Sequence, residues 1–226
     1  MPSRADFKLG SHISCGSDIN VAVASSGEGA TLDGQELTGL FRLEGGCSLT
    51  LRGLTLVNGR AESGGVVLAE LAGDVEIIGS TVKDCSAPNG LGGVVFATGS
   101  GAVSLIGSTM TRCSAGNGGA AFTIGTNLIV TDSTISGCNA ARGGAVYVES
   151  GIASLVRSTI SNCSARESGG GLYSAGGRTS LSDGALISGC SAEGQGNAIF
   201  LLAGEVSYAL PAPAGRWLPN ARCEVY

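Results

Sequence analysis

The phrase Asp132-Ser133-Thr134-Ile135-Ser136-Gly137-Cys138, followed by Gly144-Ala145-Val146-Tyr147, decides the fold of this chain because both halves recur at a nearly constant period. The glycine that opens each apolar run recurs at seven positions, which are Gly39, Gly65, Gly93, Gly119, Gly144, Gly170 and Gly196. Neighbouring copies lie 25 to 28 residues apart. A repeat that stays in phase over most of the chain predicts identical structural units stacked on one another.

Each repeat contains short alternating apolar strands, such as Val103-Ser104-Leu105, and no apolar run with a helical period. A unit of this size cannot bury its apolar face alone, so neighbouring units must cover it. The sequence therefore predicts an all-β fold, a single-stranded right-handed parallel β-helix of about seven coils of ~26 residues. We expect an N-terminal cap or entry segment over 1–20, the repeats over 21–207, and a proline-containing C-terminal tail or cap over 208–226.

Equivalent positions of the repeats form columns along the predicted solenoid. One column is aliphatic and should point inward: Leu56, Val82, Met110, Ile135, Ile160 and Ile187. A second consists of cysteines: Cys85, Cys113, Cys138, Cys163 and Cys190. A third consists of threonines and should face solvent: Thr55, Thr81, Thr109, Thr134 and Thr159. The glycine pair before the third strand of each repeat fits a sharp corner that needs positive φ or a close approach of backbones.

Composition excludes several functional classes. Glycine accounts for 39 of 226 residues, and the formal net charge is −5. An acidic chain has no basic surface for nucleic acid, so we expect no nucleic-acid partner. No apolar stretch is long enough to span a membrane, and the first residues lack the apolar core of a signal peptide.

The repeat phrases resemble a known family. Cys-Ser-Ala followed by Gly-Gly-Ala-Val-Tyr, alternating with Ser-Thr-Ile-Ser-Asn, looks like polymorphic outer-membrane-protein-type repeats of the pectin-lyase-like right-handed β-helix superfamily. The entry segment Ala30-Thr31-Leu32-Asp33-Gly34-Gln35 is similar to the first coil of such domains. The resemblance covers roughly residues 20 to 217 and implies the fold more strongly than a function, because the repeats mostly record stacking requirements.

Enzymes of this shape need several charged residues on one face, and the sequence does not gather them. Neither the column just before the cysteines nor the column at the start of the phrase places acids on adjacent coils. Asp132 next to Arg157 reads as an ion pair between coils rather than a catalytic dyad. His12 is the only histidine and precedes the repeats, which argues against a Ser-His-Asp triad on the solenoid. We therefore predict no catalytic residue and no cofactor.

The eight cysteines do not show the spacing of a zinc site, so no metal site is predicted. Those of the repeats read as small apolar core residues, since buried free thiols pack well. Disulfides between stacked neighbours would strain the geometry of parallel strands. Cys15, Cys47 and Cys223 lie outside the column, and a bridge between Cys15 and Cys47 would join the first coils.

Two columns are candidate binding surfaces. The outward threonine ladder comprises Thr81, Thr109, Thr111, Thr134 and Thr159. The aromatic stripe comprises Phe96, Phe122, Tyr147, Tyr173 and Phe200. Threonine is also a common strand surface residue, and the aromatic rings could equally stack along a corner. An outward apolar stripe would mark a partner interface.

These observations favour a non-catalytic binding or structural module, adhesin-like or a scaffold subunit, that presents a rigid ladder surface to a protein or a glycan. One alternative is a pectin-lyase-like carbohydrate-active enzyme. A second is an ice-binding protein that uses the threonine column, although Lys83 would disrupt a flat array. The solenoid ends could dock into a larger assembly, since stacked strands leave edges unpaired. We expect an extracellular or cell-surface location, with an organellar assembly as the alternative.

Overall fold

The chain forms a parallel β-solenoid of eight turns, in a computed structural model that describes residues 5–26 and 29–208. Its described residues contain strands, turns and bends but no helix. The predicted fold class is thus confirmed, with one more turn than the seven expected. The additional turn comes from the N-terminal segment, whose strands β1 (Ala5–Lys8) and β2 (Ile13–Cys15) already pair with the next turn. The repeat phrases are missing there, which is why the sequence did not reveal it.

The last five turns each contribute a strand to four parallel sheets, and the first three turns contribute to three of them. The threonine sheet, named for its outer column, comprises β1, β4 (Ala30–Asp33), β7 (Leu54–Val57), β10 (Thr81–Lys83), β14 (Thr109–Thr111), β18 (Thr134–Ser136), β22 (Thr159–Ser161) and β26 (Leu186–Ser188). The five-stranded sheet comprises β11 (Ser86–Leu91), β15 (Ser114–Asn117), β19 (Asn139–Arg142), β23 (Ser164–Ser168) and β27 (Ser191–Ala192).

The other two sheets complete the circuit. The aromatic sheet comprises β2, β5 (Phe41–Glu44), β8 (Val67–Glu70), β12 (Val95–Thr98), β16 (Ala121–Ile124), β20 (Val146–Val148), β24 (Leu172–Ser174) and β28 (Ile199–Leu201). The rear sheet comprises β3 (Asn20–Ala24), β6 (Ser48–Arg52), β9 (Val75–Ile78), β13 (Val103–Ile106), β17 (Leu128–Thr131), β21 (Ile152–Val156), β25 (Arg178–Ser182) and β29 (Glu205–Tyr208).

The predicted aliphatic column lies in the core. Strand pairing brings Leu56, Val82 and Met110 into register, and the ladder continues to Ile187. All but Ile187, which lies in the last turn, are fully buried. The core is therefore one continuous apolar rod, in which each turn covers the apolar face of its neighbour.

The glycine pairs form the corner between the five-stranded and aromatic sheets. At this corner Gly118 has a φ of 64°, a left-handed conformation that glycine adopts without strain. A Cβ on Gly119 would collide with the carbonyl oxygen of Gly144 and with the backbone of Asn139. The first glycine thus supplies the conformation and the second supplies the space, as the sequence predicted.

A serine ladder, which sequence reasoning missed, closes the opposite corner. Ser80, Ser108, Ser133 and Ser158 are each at most 3% exposed. The Ser108 hydroxyl accepts a 3.1 Å hydrogen bond from the Ser80 backbone N–H and lies 3.0 Å from the carbonyl oxygen of Ile77 in the preceding turn. These hydroxyls replace ladder bonds that the corner interrupts. The available signal was the serine that precedes Thr81, Thr109, Thr134 and Thr159.

The structure describes most of the N-terminal segment and little of the C-terminal one. Residues 5–20, expected as a cap or entry segment, supply β1 and β2 of the first turn. Of the C-terminal segment 208–226, only Tyr208 is described, as the last residue of β29; Cys223 therefore lies outside the described residues.

Pro88 lies within β11, although proline cannot donate a hydrogen bond to a strand ladder. It is exposed, and the pairing of β11 with β15 shifts register between Ala87 and Leu91. Proline is tolerated here because an irregular stretch of strand has no regular ladder bond for it to remove.

The bridge suggested between Cys15 and Cys47 is present, with Cα atoms 6.0 Å apart. It joins β2 of the first turn to the residue before β6 of the second. We expect the double variant Cys15→Ser/Cys47→Ser to lose about 3 kcal/mol of stability, because the cross-link restricts the unfolded chain. Urea denaturation measures this loss, and hydrogen exchange should localise it to residues 5–24. An unchanged midpoint in wild-type protein with and without reductant would contradict the prediction.

Candidate functional site

The five-stranded sheet carries columns of small polar residues and alanines. Ser86, Ser114, Asn139, Ser164 and Ser191 pair in register along five successive turns. Next to them Ala87 pairs with Ala115 and Ala140 pairs with Ala165. Serine, alanine and asparagine are weak strand formers, so these segments are held as strands by stacking rather than by their own propensity.

A groove of about 440 Å³ runs over this sheet. It crosses four turns and is lined by Pro88, Ser114, Ala115, Asn139, Ala140, Ser164 and Arg166. Asn139, Ser164 and Arg166 are exposed, whereas the two alanines are nearly buried. The groove thus has a flat alanine floor with hydroxyl and amide groups repeated once per turn. Such a surface can exchange hydrogen bonds with a ligand that repeats at about the spacing of stacked strands, roughly 4.8 Å.

An ion pair lies at the far end of the same strands. Arg142 donates a 2.6 Å hydrogen bond to Glu167 of the next turn, and this bond raises the pKa of the guanidinium above its ordinary value. Burial raises the pKa of the neighbouring Tyr147 hydroxyl, and the Tyr173 hydroxyl adds to that effect. The positive charge of Arg142 partly opposes the rise. At neutral pH Tyr147 is therefore a neutral hydroxyl, and Arg142 is a fixed cation.

The predicted aromatic stripe forms a continuous stack outside the main core. Ring centroids lie 5.9 Å apart for Phe96 and Phe122, 4.4 Å for Phe122 and Tyr147, and 4.7 Å for Tyr147 and Tyr173. The stack ends on Phe200, 5.0 Å from Tyr173. The first four rings are only 3% to 9% exposed. Leu68, Leu91, Ile124 and Ala175 pack against these rings. The stack therefore forms a second, smaller apolar cluster, and little of its area faces solvent.

The predicted threonine ladder lies on the outer face of the threonine sheet. Thr81, Thr109, Thr134 and Thr159 pair in register, and all are exposed or half-buried. Thr111 belongs to the next outward column, in which it pairs with Lys83 and Ser136. Lys83 and Leu186 interrupt the pattern at the two ends, so hydroxyls occupy both columns over only three successive turns.

Charged residues at the corners pair between turns. Arg157 donates two hydrogen bonds of 2.7 Å and 2.9 Å to Asp132, which confirms the predicted ion pair. The hydrogen bond from Arg157 lowers the pKa of Asp132. Arg112 makes the same bidentate contact with Asp84. All four residues have positive φ, so a left-handed corner fixes their backbone and the ion pair fixes their side chains.

The cysteine column is buried and unbridged, as the sequence predicted. Cys85, Cys113, Cys138 and Cys163 are free and buried, and Cys190 is half-buried. Each sulfur lies 3.3 Å to 3.6 Å from a backbone carbonyl oxygen two residues earlier. A hydrogen bond with Cys138, together with burial, raises the pKa of Cys163 to about 12. A thiol with this pKa stays protonated at neutral pH and is a poor nucleophile.

The described residues contain few other groups suited to catalysis or metal binding. His12 lines a smaller pocket of about 170 Å³ beside Arg42 and Glu62. Over residues 5–26 and 29–208 no group of three histidine, cysteine or acidic side chains is arranged to hold a metal ion. The same residues contain no helix long and apolar enough to cross a membrane.

Comparisons with protein-family models, with curated proteins and with solved structures find no significant match for this chain.

Proposed function

We propose that this chain is a non-catalytic binding module that holds an extended glycan in the groove of the five-stranded sheet. The observation that carries the proposal is the in-register series Ser114, Asn139 and Ser164, which lines a groove along the solenoid axis. A rigid row of equivalent polar groups suits a polymer of equivalent units better than a single compact ligand. The resemblance to pectin-lyase-like repeats is consistent with such a partner.

The spacing of the polar groups favours a glycan over an extended peptide. Stacked strands repeat about every 4.8 Å, whereas a peptide strand advances by about 3.3 Å per residue. One sugar ring of an extended glycan advances by nearly the distance between stacked turns. Each ring could therefore contact a hydroxyl or amide group equivalent to the one that its neighbour contacts one turn away.

Charge favours an acidic glycan over a neutral one. Arg166 is exposed at one end of the groove and has no carboxylate within ion-pair distance in the described residues. Glu167, by contrast, is already paired with Arg142. A cation beside neutral rungs suits a glycan that carries carboxylates, since guanidinium groups bind carboxylates well.

Calorimetric titration with oligosaccharides tests this proposal, using one neutral series and one series of uronic acids. The double variant Asn139→Ala/Ser164→Ala should bind roughly thirtyfold more weakly than wild type, because it loses two hydrogen bonds of about 1 kcal/mol each. The matched control Ser154→Ala/Ser180→Ala removes two hydroxyls from β21 and β25 of the rear sheet and should bind normally.

Two outcomes would overturn the proposal. Absence of binding to every oligosaccharide would exclude a glycan ligand, as would equal losses in the two double variants. Release of shortened or unsaturated sugars during the titration would show instead that the groove is the active site of a carbohydrate-active enzyme.

A further inference from the structure

The first turn leaves its side of the core uncovered. Phe7 pairs with the buried Leu32, and Ile13 pairs with the buried Phe41, so both belong to inward columns. Phe7 is nevertheless 53% exposed and Ile13 is 41% exposed. The equivalent residues of the middle turns are fully buried, as Val82 and Val95 are. The described residues thus place an apolar face at the N-terminal end of the solenoid.

The last described turn also leaves inward-facing apolar residues partly exposed. Ile187, Val206 and Leu201 continue inward columns and are only partly buried. Their counterparts one turn earlier, Ile160, Thr179 and Ser174, are at most 1% exposed. The strands that carry these residues, β26, β28 and β29, are the final members of their sheets among the described residues.

From these two faces we infer that a second copy of this chain docks its first turn onto the last turn of the first copy and continues the solenoid head to tail. Extending the ladders by one step places Phe7 on Ile187, Ile13 on Ile199 and Val21 on Val206. Each of these pairs is apolar, as are most inward pairs of the middle turns, such as Val82 with Met110. The interface would repeat the contact that already joins one turn to the next.

The edges themselves are compatible with such pairing. Strand edges that must stay free are commonly blocked by proline, bulges or inward charges. The strands β1, β2, β3, β26, β28 and β29 contain neither proline nor glycine, and their inward positions carry no charge. The bridge between Cys15 and Cys47 also ties the first turn to the second, which presents its edge as a preformed template.

Two variants of the full chain test the inference by analytical ultracentrifugation. The wild type should grow in mass with concentration, because head-to-tail contacts do not close. Phe7→Asp blocks the N-terminal face and Val206→Asp blocks the C-terminal face, so each variant alone should remain monomeric. Their mixture should form a one-to-one heterodimer through the two intact faces. Leu71→Asp, a change at a side chain that is 71% exposed on the flank, should associate as the wild type does.

The contradicting results are equally specific. A wild type that stays monomeric up to millimolar concentration would overturn the inference. A Val206→Asp variant that still forms dimers would show that two N-terminal faces meet head to head instead. Circular dichroism verifies that each variant is folded, and Leu201→Asp replaces Val206→Asp should the latter unfold.

Discussion

Replacing Gly119 with alanine is expected to destabilise the solenoid by about 3 kcal/mol, near the upper end of the cost of overpacking a well-packed site. The three atoms nearest to the added Cβ all belong to the backbone, namely that of Gly144 and Asn139. Backbone cannot rotate away as a side chain can, so neighbouring turns would have to separate at the corner. Denaturation by urea measures the loss, and hydrogen exchange should place it at the amides of β19.

Two other glycines separate the effect of space from that of conformation. A Cβ on Gly125 meets nothing within 4 Å, but the residue has a φ of 63°. Gly125→Ala should therefore cost only about 1 kcal/mol, for the left-handed conformation. Gly10 has open space and no positive φ, so Gly10→Ala should change stability by less than about 0.5 kcal/mol. Equal losses at Gly119 and Gly125 would contradict the close approach of backbones.

Removing one ring from the aromatic stack should have an effect of similar size. Phe122 is 3% exposed and lies between Phe96 and Tyr147. Truncation of a buried phenylalanine typically costs about 3 kcal/mol or more, so Phe122→Ala should lower the urea midpoint strongly. The loss should also loosen the five-stranded sheet, because Leu91 at the end of β11 packs against the same cluster.

The control for this variant keeps the ring and changes its polar end. Tyr147→Phe preserves the stack and removes the hydroxyl that interacts with Arg142. We expect a loss of about 1 kcal/mol or less. Hydrogen exchange at β15 and β19 should accelerate in Phe122→Ala and stay nearly unchanged in Tyr147→Phe. Unchanged stability in Phe122→Ala would show that the stack lies on the surface without supporting the fold.

Periodicity was enough to predict most of the architecture. The columns through Ile135 and Cys138 lie in the core, and the column through Thr134 lies on the outer face, as expected from strand alternation. The glycine pair was also interpreted correctly, because few other features need both positive φ and a close backbone approach. These features recur in every repeat, so each copy of the phrase strengthened the same prediction.

The groove could not be predicted in the same way. Its strands read Ser-Ala-Gly-Asn or Asn-Ala-Ala-Arg, which have the composition of a turn. Only the stacking of neighbouring turns makes them strands, and stacking is a tertiary effect. The aromatic residues posed a related difficulty. Their column was visible, but its burial depends on Leu91, which approaches from the five-stranded sheet, and on Leu68 and Ile124 of the aromatic sheet.

The dependence of affinity on glycan length tests the central claim most directly. The groove crosses four turns: Pro88 lines it in one, and Ser114, Asn139 and Ser164 each supply a polar group in the other three. Affinity for a series of oligosaccharides should therefore rise with every added sugar up to about three units, one for each polar group, and then level off. Affinity that is the same for a monosaccharide and for a longer oligomer would contradict a groove built from repeated rungs, as would the absence of binding at any length.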